Sequence, residues 1–267
     1  QLNIGTAKPT TDELAAVPHH LINILEPDDD YSVSIFQQQA KSLIDQLNDN
    51  HVVPILSGGT GLYVQSLLEN YNFNDIKPNT KLRIELDELY TKYGIDGLRE
   101  YAQNLAEKGG IEIKYTDKHR LYRAIELMTA GDYKSLIKQT KEGLSYKGPV
   151  IGLQRERSDL YDRINRRVEI MFEKGLVDEV KQLLKNGVNP NCQAFKGIGY
   201  KEVVQYLEGL ISYDACVDLI QKNTRHFAKR QITWYKRMPY IEWITIDSQT
   251  TEAEIYGMAC NIIDSSF

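Results

Sequence analysis

The chain has 267 residues and a formal net charge of −5, with 42 % apolar and 26 % charged side chains. This length and apolar content suffice for one large domain or two modest ones, and the lack of any run of about 18 apolar residues predicts no membrane span. Three widely separated cysteines argue against a disulfide framework or a zinc site, and the first residues contain no signal peptide, so we expect a cytoplasmic location.

The first third of the chain predicts half of an α/β unit. Ser32 can cap a helix whose apolar side chains recur at helical spacing, at Val33, Phe36, Ala40, Leu43, Ile44 and Leu47. Residues 51–56 form a short apolar run, typical of a strand that is buried on both faces. Gly58-Gly59-Thr60-Gly61 and a helical segment, 62–68, follow at once. A strand, a glycine turn and a helix in this order indicate an α/β fold.

Residues 70–147 differ in character and predict charged, amphipathic helices. One helix contains Leu82, Ile84, Leu86 and Leu89, and another contains Leu121, Ile125 and Leu127. Residues 149–153 then predict a second buried strand, followed by a helix over 158–174 and another that ends at Gly187. We therefore expect an α/β core, formed by residues 1–69 and 148–267, with an inserted helical domain over 70–147.

A long basic helix is predicted over residues 213–238, where Pro239 stops it. At about 100° per residue, one side presents Ile220, Phe227, Trp234 and Tyr235, and the opposite stripe presents Lys222, Arg225, Lys229 and Lys236. Like charges one turn apart repel each other, and Asp218 is the only acid from 218 to 237. A bound polyanion explains this stripe; an ordinary exposed face is the alternative. Residues 240–246 predict a final strand.

Three smaller clusters each allow a functional and a structural interpretation. Residues 118–123 place Arg120 and Arg123 on one helix face, with Tyr122 available to stack on a base. Arg163, Arg166 and Arg167 suit phosphate oxygens, but nearby acids allow simple ion pairs. Gly58–Gly61 suits either an anion at a helix N-terminus or an empty tight turn. The pair His19-His20 fits a loop better than a metal site, and Walker-A, nucleophile-elbow and H-E-x-x-H motifs are absent from the sequence.

Together, these segments resemble the tRNA dimethylallyltransferases, also called IPP transferases. The matching stretches occur in family order: Ile4-Gly5-Thr6-Ala7-Lys8-Pro9, Pro18-His19-His20-Leu21-Ile22, Tyr31-Ser32, Gly58-Gly59-Thr60-Gly61-Leu62-Tyr63, Arg120-Leu121-Tyr122-Arg123-Ala124-Ile125-Glu126, Gly197-Ile198-Gly199-Tyr200-Lys201-Glu202, Thr224-Arg225 and Ala228-Lys229-Arg230-Gln231-Ile232-Thr233-Trp234. Asn3 and Asn23 depart from the family pattern, which usually has aspartate at both positions.

The resemblance implies a P-loop-type core and transfer of a dimethylallyl group from dimethylallyl diphosphate to the N6 amine of the adenosine 3′ of the anticodon. It implies Mg2+, and it places a Walker-A loop and a general-base aspartate upstream of Gln1. It assigns Arg167, with Arg163, to the diphosphate, and Gly5, Thr6, Lys8, Gly58 and Gly59 to motif loops. For the tRNA anticodon stem-loop it implies Thr60, Arg83, His119, Arg120, Tyr122, Arg123, Lys196, Tyr200, Lys201, Arg225, Lys229 and Arg230.

Two other functions remain open at this stage. A small-molecule kinase on the same P-loop core would need ATP and lid arginines, but not a long basic helix. A non-catalytic RNA-binding module would explain the basic stripe, but not the turn at Gly58–Gly61. We expect a cytoplasmic monomer without an obligate protein partner.

Overall fold

A computed structural model describes residues 1–73, 76–136 and 144–267. The chain divides into two compact units, which we call the core unit, Gln1–Leu68 with Tyr146–Phe267, and the helical unit, Glu69–Ser145. The core unit contains α1 (Thr11–Ala16), α2 (Val33–Asp49), α3 (Gly61–Leu68), β1 (Val150–Arg155), α6 (Arg157–Glu173), α7 (Leu176–Lys185), α8 (Tyr200–Leu207), α9 (Tyr213–Tyr235), β2 (Ile241–Ile246) and α10 (Glu252–Ser266). The helical unit contains α4 (Thr80–Lys108) and α5 (Lys118–Thr129).

A two-stranded parallel sheet belongs to the core unit. β1 and β2 pair in register from Val150 opposite Ile241 to Arg155 opposite Ile246. Parallel neighbours need a crossover connection, and α6 to α9 provide it in the chain. Both strands were predicted, and the structure confirms them.

The hydrophobic core of this unit lies among α6, α7, α8 and α9. Leu176, Val180 and Leu183 recur at helical spacing along α7 and are buried. They belong to the same buried cluster as Val203 of α8 and Ile220 of α9. This packing fixes α9, the predicted basic helix, against α6 and α8. The helix ends at Tyr235, three residues before the predicted end.

The helical unit is built on the contact between α4 and α5. Asn79 caps α4 by accepting a hydrogen bond from the amide of Leu82, at 3.1 Å. Buried residues from along α4 share one cluster with buried residues of α5: Leu82, Leu86, Leu98, Ala102 and Ala106 with Leu121, Tyr122, Ala124, Ile125 and Met128. Gly94, with φ of 66° and ψ of −158°, interrupts the helical backbone of α4. Only glycine adopts such a conformation readily.

The predicted strand over residues 51–56 is wrong. The segment has no regular secondary structure, and Val53 and Ile55 are 85 % and 90 % exposed. A strand that is buried on both faces requires neighbouring strands to pair with its backbone. In the part of the chain that the structure describes, β1 and β2 are the only strands and they pair with each other. Over the same ranges, no helix has the length and apolar character needed to cross a membrane.

Candidate functional site

A loop over residues 2–8, which we call the motif loop, is held by one carboxylate. Glu179 of α7 accepts hydrogen bonds from the backbone amides of Asn3 and Ile4, each at 3.0 Å, and from the hydroxyl of Tyr200 at 2.6 Å. The ring of Tyr200 packs directly on Gly5, where a Cβ atom would lie 2.4 Å from the ring. The motif loop therefore has a fixed position on α7 and α8.

Lys8 closes the motif loop from the other side. Its ammonium donates to the side-chain oxygen of Asn3 at 2.8 Å and to that of Asn23 at 2.5 Å. These asparagines are the two departures from the family pattern noted above. In this chain, Lys8 is thus held by two neutral amide oxygens in place of carboxylates.

Tyr200 does not meet the requirements of a tRNA contact, so this prediction is corrected. Its side chain is buried and stacks on Phe195, with ring centroids 5.8 Å apart. Burial and the bond to Glu179 raise the pKa of its hydroxyl above the usual value. Its neighbours Lys196 and Lys201 are exposed and remain available to an external ligand.

The glycine turn before α3 contacts the inner side of α9. Gln231 donates to the carbonyl oxygen of Gly59 at 2.9 Å, and a Cβ at Gly61 would lie 2.3 Å from the ring of Trp234. Glycine at position 61 therefore permits the close approach of α3 to α9. Thr60 is exposed at this turn, as a ligand contact requires.

The outward side of α9 is less uniform than the sequence predicts. Lys222, Lys229 and Arg230 are exposed, as is Lys236 just beyond the helix. Arg225, in contrast, is partly buried against α6, where it donates to the side-chain oxygen of Asn165 at 2.6 Å. A hydrogen bond with a packed neighbour therefore fixes Arg225, which is less exposed than the lysines of the stripe and stays a predicted tRNA contact.

Phe227 was expected to face the core, and this is also wrong. The side chain is 40 % exposed, and the guanidinium of Arg230 lies 5.7 Å from its ring centroid. Such a contact covers part of the apolar ring with a cation. Ile220, in contrast, is buried as expected.

Three arginines of α6 form an exposed cationic cluster. Arg163, Arg166 and Arg167 all lie at the surface, and within the described ranges none of them has an ion pair. Asp159, one of the acids considered as a partner, pairs with Arg155 at 2.7 Å. The alternative that these arginines form simple surface ion pairs is therefore not supported.

The helical unit brings two of its predicted tRNA contacts to one carboxylate. Arg83 of α4 and Arg123 of α5 both donate to Glu126, at 2.7 Å and 3.2 Å. His119 and Arg120 are exposed near the start of α5. Tyr122 is buried and donates to Asp87 at 2.8 Å, so the predicted stacking of its ring on a base is corrected.

The implied Mg2+ finds no ligand cluster among these side chains. In the residues that the structure describes, no group of three or more His, Cys, Asp or Glu side chains is placed to hold a metal ion. We therefore assign none of them to Mg2+ and derive no step through the metal. His19 forms a local hydrogen bond with the carbonyl of Val17 at 2.7 Å, which fits its interpretation as a loop residue.

Comparison with known proteins decides among the possible families. The family model of IPP transferases matches residues 1–238. This chain belongs to the IPP transferase family. It is 39 % identical over 266 residues to the tRNA dimethylallyltransferase of Alkaliphilus metalliredigens, covering 98 % of this chain and 84 % of the relative. It is 40 % identical over 256 residues to that of Carboxydothermus hydrogenoformans, covering 94 % and 81 %.

Solved structures place this IPP transferase in the same fold. The tRNA isopentenylpyrophosphate transferase of Bacillus halodurans is similar with a TM-score of 0.69 and 35 % identity, over 98 % of this chain and 84 % of that chain. A eukaryotic dimethylallyltransferase is similar with a TM-score of 0.77 and 21 % identity, over 99 % and 70 %. The predicted fold class, an α/β P-loop-type core with an inserted helical domain, is confirmed.

Sequence reasoning named the cations of this IPP transferase but missed the groups that hold them. Glu179 and Asn165 carry no motif that would single them out. Glu126 and Gln231 lie inside the quoted family stretches, yet nothing in their spacing indicates a bond to Arg83 or to Gly59, which are 43 and 172 residues away.

Proposed function

We propose that this IPP transferase transfers a dimethylallyl group from dimethylallyl diphosphate to tRNA. The observation that carries the proposal is the family match over residues 1–238, together with 39 % identity to a tRNA dimethylallyltransferase. The acceptor is the N6 amine of the adenosine 3′ of the anticodon, and the second product is diphosphate.

The reaction is a displacement at the allylic carbon of the diphosphate substrate. The adenine amine forms the new carbon–nitrogen bond while the bond from carbon to the diphosphate oxygen breaks. The amine proton passes to a general-base aspartate, which the family pattern places upstream of Gln1. The target base has to leave its stack to reach the reacting carbon.

Arg167 and Arg163 are the residues that we assign to the diphosphate. They lie one helical turn apart on α6, are exposed, and have no ion pair among the described residues. A guanidinium offers two parallel N–H donors to phosphate oxygens. These groups suit the negative charge that develops on the leaving diphosphate.

The tRNA contacts are assigned, on each unit separately, to polar and basic side chains that are exposed or partly exposed. On the core unit they are Lys222, Lys229 and Arg230, with Lys196, Lys201 and the hydroxyl of Thr60. On the helical unit they are Arg83, His119, Arg120 and Arg123. Cations that track a phosphate backbone position the RNA, while the base itself carries the identity of the site.

Three accompanying properties remain predictions from the sequence: Mg2+ as the cofactor that accompanies the diphosphate, a monomeric state without an obligate protein partner, and a cytoplasmic location. The mechanism above assigns no residue to the metal.

A labelled-prenyl transfer assay tests the proposal against its rivals. Dimethylallyl diphosphate that carries a label in its hydrocarbon part is incubated with bulk tRNA and the protein in its full natural length. We expect the label in tRNA, and in N6-modified adenosine after digestion. Binding of tRNA without transfer would instead indicate an RNA-binding module, and ATP-dependent phosphorylation of a small molecule would indicate a kinase.

A further inference from the structure

Glu126 stands out in the helical unit because it is a buried carboxylate that the proposed reaction does not use. Its side chain is 1 % exposed. It accepts from Nε and Nη2 of Arg83 at 2.7 Å and 3.2 Å, from Nη1 of Arg123 at 3.2 Å, and from the backbone amide of Asn79 at 3.0 Å. One carboxylate therefore joins α5 to the start of α4 and to two arginines.

The carboxyl group of Glu126 is ionised in this cluster. Burial opposes ionisation of Glu126, but the hydrogen bonds from Arg83 and from the amide of Asn79 outweigh it, so the pKa of this carboxyl lies below its usual value. Removal of its cationic partners would leave the buried carboxylate of Glu126 uncompensated, which is strongly destabilising.

Both arginines remain partly open to solvent. The side chain of Arg83 is 43 % exposed and that of Arg123 is 34 % exposed. Arg83 gives one edge of its guanidinium, Nε and Nη2, to Glu126; within the described ranges its Nη1 makes no hydrogen bond. Arg123 is fixed a second time by donating to the carbonyl of Ile76 at 2.7 Å. The guanidinium of Arg83 is thus held on one edge, and its Nη1 is left for an external ligand.

We propose that Glu126 is a positioning residue that presents Arg83 to phosphate groups of the tRNA. This inference rests on the proposed function. Long side chains that are free in solution lose rotamer freedom when they bind a ligand, and a side chain that is already fixed loses less. Glu126 therefore improves RNA binding although it carries the same sign of charge as RNA.

Because Glu126 and RNA are both negatively charged, the effect of charge and the effect of positioning can be distinguished directly. By charge alone, Glu126→Gln makes the protein more positive and should strengthen its binding to a polyanion. If Glu126 acts by positioning, the same change weakens binding by about two- to tenfold, because Arg83 is released. The readout is the dissociation constant for an unmodified tRNA anticodon stem-loop, measured at one salt concentration.

Glu85→Gln is the matched control. Glu85 is on α4, as Arg83 is, and is exposed, so its replacement changes the net charge equally without touching the cluster. We expect this variant to bind the stem-loop as tightly as the wild type or slightly more tightly. If Glu126→Gln binds the stem-loop as tightly as Glu85→Gln does, the inference is overturned.

Folding and function are separated by two further measurements. The dissociation constant is taken for the folded fraction, determined by circular dichroism, because a merely structural Glu126 would reduce that fraction and leave the constant unchanged. Should Glu126→Gln fail to fold, Arg83→Lys replaces it, since lysine keeps the charge but cannot form the two-pronged bond to Glu126. Weaker binding by Arg83→Lys then supports the inference, and wild-type binding overturns it.

Prenyl transfer by the wild-type protein is measured in parallel. Transfer by the wild type, combined with equal binding by the two glutamine variants, refutes only the role of Glu126. Absence of both transfer and tRNA binding in the wild type refutes the proposed function.

Discussion

Replacement of the exposed lysines of α9 tests the polyanion interpretation of that helix quantitatively. Lys222 and Lys229 lie at the surface of α9, so changing both to alanine removes charge with little loss of packing. Arg225 is left intact, because its bond to Asn165 makes it part of the contact with α6. If each lysine neutralises one tRNA phosphate, the log–log slope of affinity against salt should become shallower by roughly 0.9 for each lysine removed, about 1.8 in total.

This slope difference predicts how the affinity loss depends on salt. Between about 50 and 200 mM salt, a slope change of about 1.8 corresponds to a factor of roughly 12 in affinity. The ratio of wild-type affinity to variant affinity should therefore be about twelvefold larger at the lower salt concentration. The assay is equilibrium binding of the anticodon stem-loop at both concentrations. Turnover at saturating tRNA should change much less, because phosphate contacts position the substrate and do not react.

A charge-matched control separates local contact from net charge. Lys174→Ala with Lys185→Ala removes two exposed lysines of the same unit outside α9. Charges that lie further from the RNA than the Debye length, about 14 Å at 50 mM and about 7 Å at 200 mM salt, are largely screened, so this variant should keep the wild-type slope. Equal slopes for the wild type and the α9 variant would refute the assignment of Lys222 and Lys229 to phosphates.

Three further predictions concern single residues. Gly5→Ala should lower the free energy of unfolding by about 1–3 kcal/mol in a denaturant titration, because its Cβ would lie 2.4 Å from the buried ring of Tyr200. Gly58→Ala is the control and should be nearly neutral, because there is open space around Gly58. A similar loss of unfolding free energy in both variants would contradict this account. Arg167→Ala should raise the KM for dimethylallyl diphosphate and leave tRNA affinity unchanged; loss of tRNA affinity alone would move Arg167 to the RNA surface. The pKa of Glu126 is depressed, so the ionised carboxylate stabilises the folded protein fully above pH 4.5, its usual value, and this stabilisation is lost as the pH falls below that value. The difference in unfolding free energy between wild type and Glu126→Gln should therefore narrow on acidification. A constant difference would argue against an ionised Glu126.

Local patterns in the sequence predict most of the fold. The strands β1 and β2, the helices after β1 and the helical character of the inserted unit all follow from apolar spacing and glycine stops. Residues 51–56 show the limit of this reasoning, since a short apolar run indicates a strand only if partner strands lie beside it. Phe227 shows another limit, because helical periodicity gives the relative direction of side chains but not the width of the buried face.

The candidate site is predictable in its cations and not in their partners. Arg167 and Lys229 belong to recognisable basic clusters, whereas Arg83 is implied by the family resemblance alone. The bond from Arg83 to Glu126 and the bonds from the motif loop to Glu179 join residues 43 and about 175 positions apart, and such pairings depend on how helices pack. Burial of Tyr122 and Tyr200 depends on packing in the same way, so the sequence does not reveal that these two predicted tRNA contacts are covered.

The kink at Gly94 determines how far the helical unit can reach. A straight helix of 29 residues would be about 43 Å long, whereas the 12 residues of α5 span only about 18 Å. One short helix can cover the apolar residues on both sides of the kink only if the long helix folds back around it. A side chain at position 94 would disfavour the backbone conformation seen there, with φ of 66°, and would favour an extended rod. Part of the apolar face of that rod would then lie in water, beyond the end of α5.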